Sequence, residues 1–141
     1  MIQPIILIPF LILLCLAFFN DLESMLIPNY YSYPLIILGA INLLMDFHPL
    51  VLISIAIFFL YLMLLFLFKL GRGDIKILIG IALFSANSPL LFNFLMALTM
   101  IGSLYIIWIK HIAKLEIAPF MPAIFSSFLL GLALTNYGLF F

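Results

Sequence analysis

The chain reads as long apolar runs separated by short polar breaks, and the lengths of the runs point to helices rather than strands. The first run spans about Ile2 to Phe19, carries Pro4 and Pro9 in its first half, where a proline costs least near a helix start, and ends at Asn20-Asp21-Leu22-Glu23-Ser24. Pro28 and Pro34 disfavour helix at the residues before them, so Leu26 to Tyr33 is expected to be a loop or re-entrant elbow carrying interfacial aromatic residues. A second span covers about Pro34 to Met45 and closes at Asp46-Phe47-His48-Pro49, and a third runs from Leu50 to Phe68. After Gly71-Arg72-Gly73, a short fourth run goes from Asp74 to the break at Asn87-Ser88-Pro89. The fifth runs from Leu90 to Ile109, with Tyr105 and Trp108 near one end. A polar loop with Lys110, His111, Lys114 and Glu116 leads to Pro119-Phe120-Met121-Pro122, and the sixth span fills about Ala123 to Tyr137.

Composition turns these runs into membrane spans. Of 141 residues, 69% are hydrophobic and only 7% charged, and the mean hydropathy is +1.47; such a chain lacks the polar surface of a water-soluble globule. Each crossing takes roughly 20 apolar residues. The expected architecture is therefore an all-α integral membrane protein with six transmembrane helices, one membrane-embedded domain over residues 1–141, in contact with the lipid bilayer. The formal net charge of zero gives no reason to expect nucleic acid. Met1 to Phe19 has no basic segment before it and is read as a retained span, not a signal peptide.

Charge sets the orientation. Lys69, Arg72 and Lys76 fall between spans 3 and 4, and Lys110 and Lys114 between spans 5 and 6. All the basic residues then lie on one side, which the positive-inside rule makes cytoplasmic, with both termini outside. The break that holds Asp21 falls on that same side as Asp74.

Asp74 is the more conspicuous acid. An intramembrane carboxylate is a functional-site hypothesis by default, and Gly71 and Gly73 allow unusual backbone angles and close approach of a second segment. The fourth span has about 14 residues, which reach only ~21 Å against a ~30 Å hydrocarbon core, so Asp74 is expected to be recessed. The Arg-Gly-Asp tripeptide at Arg72 to Asp74, embedded among apolar runs, is a chance match to an adhesion motif. Two acids brought together supply a peptidase chemistry: one carboxylate takes a proton from water while one carboxylic acid polarises the substrate carbonyl. Read without that pairing, Asp21 is a helix-terminal surface acid and Asp74 an ion-pair partner of Arg72 or Lys76. A small transporter or proton-conducting subunit with buried acids is the competing class.

The remaining groups narrow the chemistry. Cys15 stands alone and forms neither an internal disulfide nor a Cys-x-x-Cys metal site. His48 and His111 fall on opposite sides of the expected topology, so no metal and no cofactor is expected. Glu23, two residues from Asp21, is read as a solvated acid, with contact to a basic substrate segment as the alternative. Lys76 is read either as a residue that tunes a neighbouring carboxylate or as a topology determinant.

The segment D-L-E-S-M-L-I-P-N from Asp21 to Asn29, G-R-G-D-I-K from Gly71 to Lys76, and A-P-F-M-P from Ala118 to Pro122 resemble the three signature stretches of the type IV prepilin peptidases. These are membrane aspartyl proteases of the Gly-x-Gly-Asp kind, a wider group that includes presenilin. The resemblance implies removal of a short basic leader from prepilin-like precursors, after a glycine, at the cytoplasmic membrane face. It makes Asp21 and Asp74 the catalytic pair, with Gly71, Gly73, Lys76, Pro28 and Asn29 as motif and support residues. Many bacterial members add an N-terminal region with paired cysteines and methylate the new N-terminus. This sequence opens at its first apolar run and has one cysteine, so it resembles the short form found with Flp/Tad pili or archaeal preflagellins, and methyl transfer is not expected.

Overall fold

The structure, a computed structural model, describes residues 4–45, 47–66, 71–113 and 119–137. Six α-helices account for nearly all of these: α1 (Pro4–Ser24), α2 (Asn29–Met45), α3 (Val51–Phe66), α4 (Arg72–Ser85), α5 (Leu90–Trp108) and α6 (Met121–Asn136), with a π-helical turn, Ile109–Ala113, extending α5. Among the described residues, two helical stretches are long and apolar enough to cross a bilayer by themselves, Ile5–Ser24 and Leu90–His111. Lys69, Lys114, Glu116, Ala118 and the end of the expected third span lie outside the described residues.

Helix α1 explains both its burial and its lipid face by spacing. Ile6, Phe10, Leu14, Ala17 and Asp21 are its buried residues, three or four apart on one stripe. Ile5, Ile8, Ile12, Leu16 and Phe19 are exposed on the other sides. A helix apolar all round belongs in a membrane rather than at a water surface. Phe10 stacks on Phe84 of α4 with ring centroids 4.2 Å apart, and Phe128 of α6 lies 5.7 Å from Phe10 and 6.1 Å from Phe94 of α5. These rings join α1, α4, α5 and α6 in one core.

Helices α2 and α4 approach too closely for side chains at their crossing. A Cβ on Gly39 would sit 2.5 Å from the Gly80 carbonyl oxygen, and one on Gly80 would sit 3.1 Å from the backbone of Leu35. Small residues let membrane helices pack backbone to backbone in this way. Gly131 of α6 does the same against Phe94 of α5, at 3.0 Å from its nitrogen. Polar bonds fasten one end of the α2/α4 pair: Asn42 donates to the Phe84 carbonyl at 2.7 Å, and Asn87 to the Leu43 carbonyl at 3.0 Å.

Three sequence expectations need correction. Asp21 is not in a loop but in the last turn of α1, because the helix runs on to Ser24 and stops at Met25, whose φ of 55° lies in the left-handed region that ends helices. The connector to α2 is only Met25 to Pro28, since α2 begins at Asn29 and takes Pro34 inside it. Proline there removes one bond, to the Tyr30 carbonyl, near the helix start, where the loss is tolerated. Arg72 and Lys76 belong to α4, and Lys110 and His111 to the π turn, rather than to loops.

Candidate active site

Asp21 closes the buried stripe of α1, and its exposure is only 4%. Its Oδ2 accepts the backbone N–H of Met121 at 3.1 Å. Met121 is the first residue of α6, after an N-cap, Phe120, that offers no side-chain cap. The acid of α1 thus supplies the missing partner at the start of α6, where unpaired N–H groups and the helix dipole favour an anion.

The chain leaving α1 is held by its own polar residues. Asn20 Nδ2 donates to the Leu26 carbonyl at 2.7 Å, and the Ser24 hydroxyl lies 3.1 Å from the same oxygen. Tyr31 N–H returns to the Pro28 carbonyl at 3.1 Å, so Pro28 starts α2 with its oxygen. This folds Ile27 against α4: a Cβ on Gly73 would lie 2.8 Å from Ile27 Cβ. Gly73 is therefore needed for space. Gly71 has φ −64° and ψ 149°, an extended conformation open to any residue. The expected role of unusual glycine angles does not apply here, whereas the close approach does.

Asp74 stands in the first turn of α4, and its carboxylate turns back toward Gly71. A Cβ on Gly71 would meet Asp74 Oδ2 at 3.1 Å. The other oxygen, Oδ1, is buried without a hydrogen-bond partner among the described residues. Lys76 does not serve as the ion-pair partner. Its ammonium donates to Asn29 Oδ1 and lies 5.0 Å above the Tyr33 ring, which ties α4 to the start of α2.

Asp21 and Asp74 line one cavity of about 400 Å³, together with Ile27, Asn29, Gly71, Gly73 and Lys76. The two carboxylates are close enough for their charges to interact. Glu23 is exposed and outside that lining. Pro119 and Met121 serve Asp21 through the α6 start, whereas His48 borders a separate cavity with Ser54 and Asn87. Sequence reading passed over Asn20 and Ser24; an Asn-x-x-x-Ser pair ending an apolar run is the signal, since such side chains compete for nearby backbone groups.

Such an arrangement, an all-helical membrane protein with two acids at helix ends facing one cavity, defines a class of membrane-embedded acid pairs. The description of type IV leader peptidases matches residues 8–136, and the chain belongs to that family. The protein is accordingly a peptidase, a hydrolase. No curated protein and no solved structure matches the chain.

Proposed function

We propose that this protein is an aspartic endopeptidase that removes the short basic leader of type IV prepilin-like precursors at the cytoplasmic membrane face. The precursors meant are Flp/Tad pilins, pseudopilins or preflagellins. One observation carries the reading: two acids from distant parts of the chain line one cavity, and one of them keeps a buried carboxylate oxygen without a partner. The chain acts as a single membrane-embedded domain of six spans with both termini outside the cytoplasm.

The chemistry needs only the pair. Two carboxyl groups near each other cannot both ionise cheaply, so they share one proton. The ionised member takes a proton from a water whose oxygen attacks the scissile carbonyl carbon, while the protonated member gives its proton to the carbonyl oxygen. Collapse of the tetrahedral intermediate breaks the C–N bond: the amine leaves with the proton held by the first carboxyl, and a hydroxyl of the intermediate returns its proton to the second, which restores the pair. Asn29, Lys76 and Gly73 hold the α2 and α4 walls of the cavity, and Gly71 leaves room for the Asp74 carboxylate. The reaction ends at cleavage, and the mature product keeps an unmodified amino terminus.

Co-expression with candidate small pilin precursors tests this reading. A shift to faster gel mobility, with a new N-terminus after the leader glycine, is the expected result. Precursors with basic leaders that stay intact, together with ion flux that depends on Asp74, would replace the peptidase by the transporter reading.

A further inference from the structure

The start of α6 is where Asp21 is held, and something must hold that start in turn. Tyr105 of α5 does so in two ways. Its hydroxyl donates to the Pro119 carbonyl at 2.7 Å, and its ring lies 6.1 Å from Trp108, stacked, and 6.3 Å from Phe120. One turn earlier on the same helix, Gly102 leaves room for Phe120, whose Cζ would lie 3.5 Å from a Cβ there. Residues three apart share a helix face, so Gly102 and Tyr105 together form the seat for Pro119 and Phe120. The next residue is Met121, whose N–H goes to Asp21 Oδ2. Tyr105 also lies within electrostatic reach of the Asp21 carboxylate.

We infer that Tyr105 is a positioning residue for Asp21, acting through the Pro119–Met121 turn: it fixes the direction of the Met121 N–H and thereby the direction in which Asp21 faces the cavity. This rests on the reading of Asp21 as one of the two reacting acids. Tyr105 is not among the residues that line the cavity. Its effect is on turnover, because a tilted Asp21 binds the precursor as before but meets the attacking water badly, and small misplacements of a reacting group are costly.

Leader cleavage by membranes carrying the full chain, with rates normalised to inserted protein, tests the inference. Tyr105→Phe keeps the ring and loses the hydroxyl; kcat should fall about fivefold with KM unchanged, the size expected for one hydrogen bond. Phe120→Leu, which spoils the ring seat and keeps the hydroxyl, should lower kcat about threefold. Tyr61→Phe is the control. The Tyr61 hydroxyl lies 3.0 Å from that of Thr99, also between helices but away from the cavity, and this variant should keep wild-type kcat. Asp21→Asn is measured alongside. Wild-type kcat in both Tyr105→Phe and Phe120→Leu beside an inactive Asp21→Asn would overturn the positioning role and leave the acid pair standing. An equal loss in Tyr61→Phe would reduce Tyr105 to a general packing residue. Full cleavage by Asp21→Asn would remove the acid pair and the positioning role together.

Discussion

The two ends of the α2/α4 pair use the same materials to opposite effect. At one end Asn42 and Asn87 each reach a carbonyl across the interface, Asn42 being 3% exposed, and the helices close on each other. At the other end the polar groups tie the rim, Asn29 to Lys76 and Asn20 to Leu26, but leave a cavity and a carboxylate oxygen open between them. A buried polar group without a partner costs about 1–3 kcal/mol. The far end also leaves amide oxygens, those of Asn42 and Asn87, buried without a partner among the described residues, so what sets the site end apart is that its unpartnered oxygen belongs to an acid that shares a cavity with a second acid. Stability is built at one end of the pair and reactivity is kept at the other.

That contrast breaks most sharply at Gly73. An added methyl must displace Ile27, and with it the connector between Asp21 and α2, so Gly73→Ala should lower leader cleavage by about 100-fold, the scale of a 1 Å misplacement. Membrane abundance should change much less, since the clash lies at the rim and not at the Gly39–Gly80 crossing. Equal losses of activity and abundance would place Gly73 with the structural glycines instead.

Next in size is the tie across the rim. Lys76→Met removes a charge-assisted hydrogen bond, and cleavage should fall about tenfold. Asn29→Ala should do the same, and the double variant should fall no further, because both remove one interaction. Independent, multiplying losses would show that Lys76 has another partner during the reaction.

The far end should answer in the other currency. Asn42→Ala leaves the Phe84 carbonyl unpaired and should cost about 1–2 kcal/mol of stability, read as a lower thermal midpoint in detergent. Cleavage per folded molecule should stay near wild type. Smallest of all is Glu23→Gln, which should retain substantial activity because Glu23 is exposed and off the cavity.

Much of this was legible in the sequence because bilayer physics leaves few choices. Long apolar runs must be helices, so the six elements and the polar breaks between them followed, with α4 short as expected. The spacing Ile6, Phe10, Leu14, Ala17, Asp21 also turns Asp21 inward, while Glu23, two residues on, points elsewhere. The Asp21 and Asp74 segments met at one cavity. Less legible were features set by contacts between distant segments. Pro34 inside α2 overrode the local preference that put a loop there, and the helical stop fell on Met25 rather than on a glycine or proline. Nothing local in Met121 announces that its N–H will hold an acid 100 residues away.

Acid pairs also have a pH signature. Cleavage should fall at high pH, as the shared proton is lost, and at low pH, as the second carboxylate takes one up, with both limits belonging to the pair. A single-sided profile would point to one acid working alone. Chelators should leave the rate unchanged; loss restored by added zinc would contradict a mechanism carried by carboxyls.

The most direct measurement is leader cleavage by Asp21→Asn and Asp74→Asn, each compared with wild type at equal membrane abundance. The amide keeps size and hydrogen bonding and loses ionisation, so each variant should insert normally and leave the precursor uncut. Full cleavage by either well-inserted variant would contradict the two-acid mechanism.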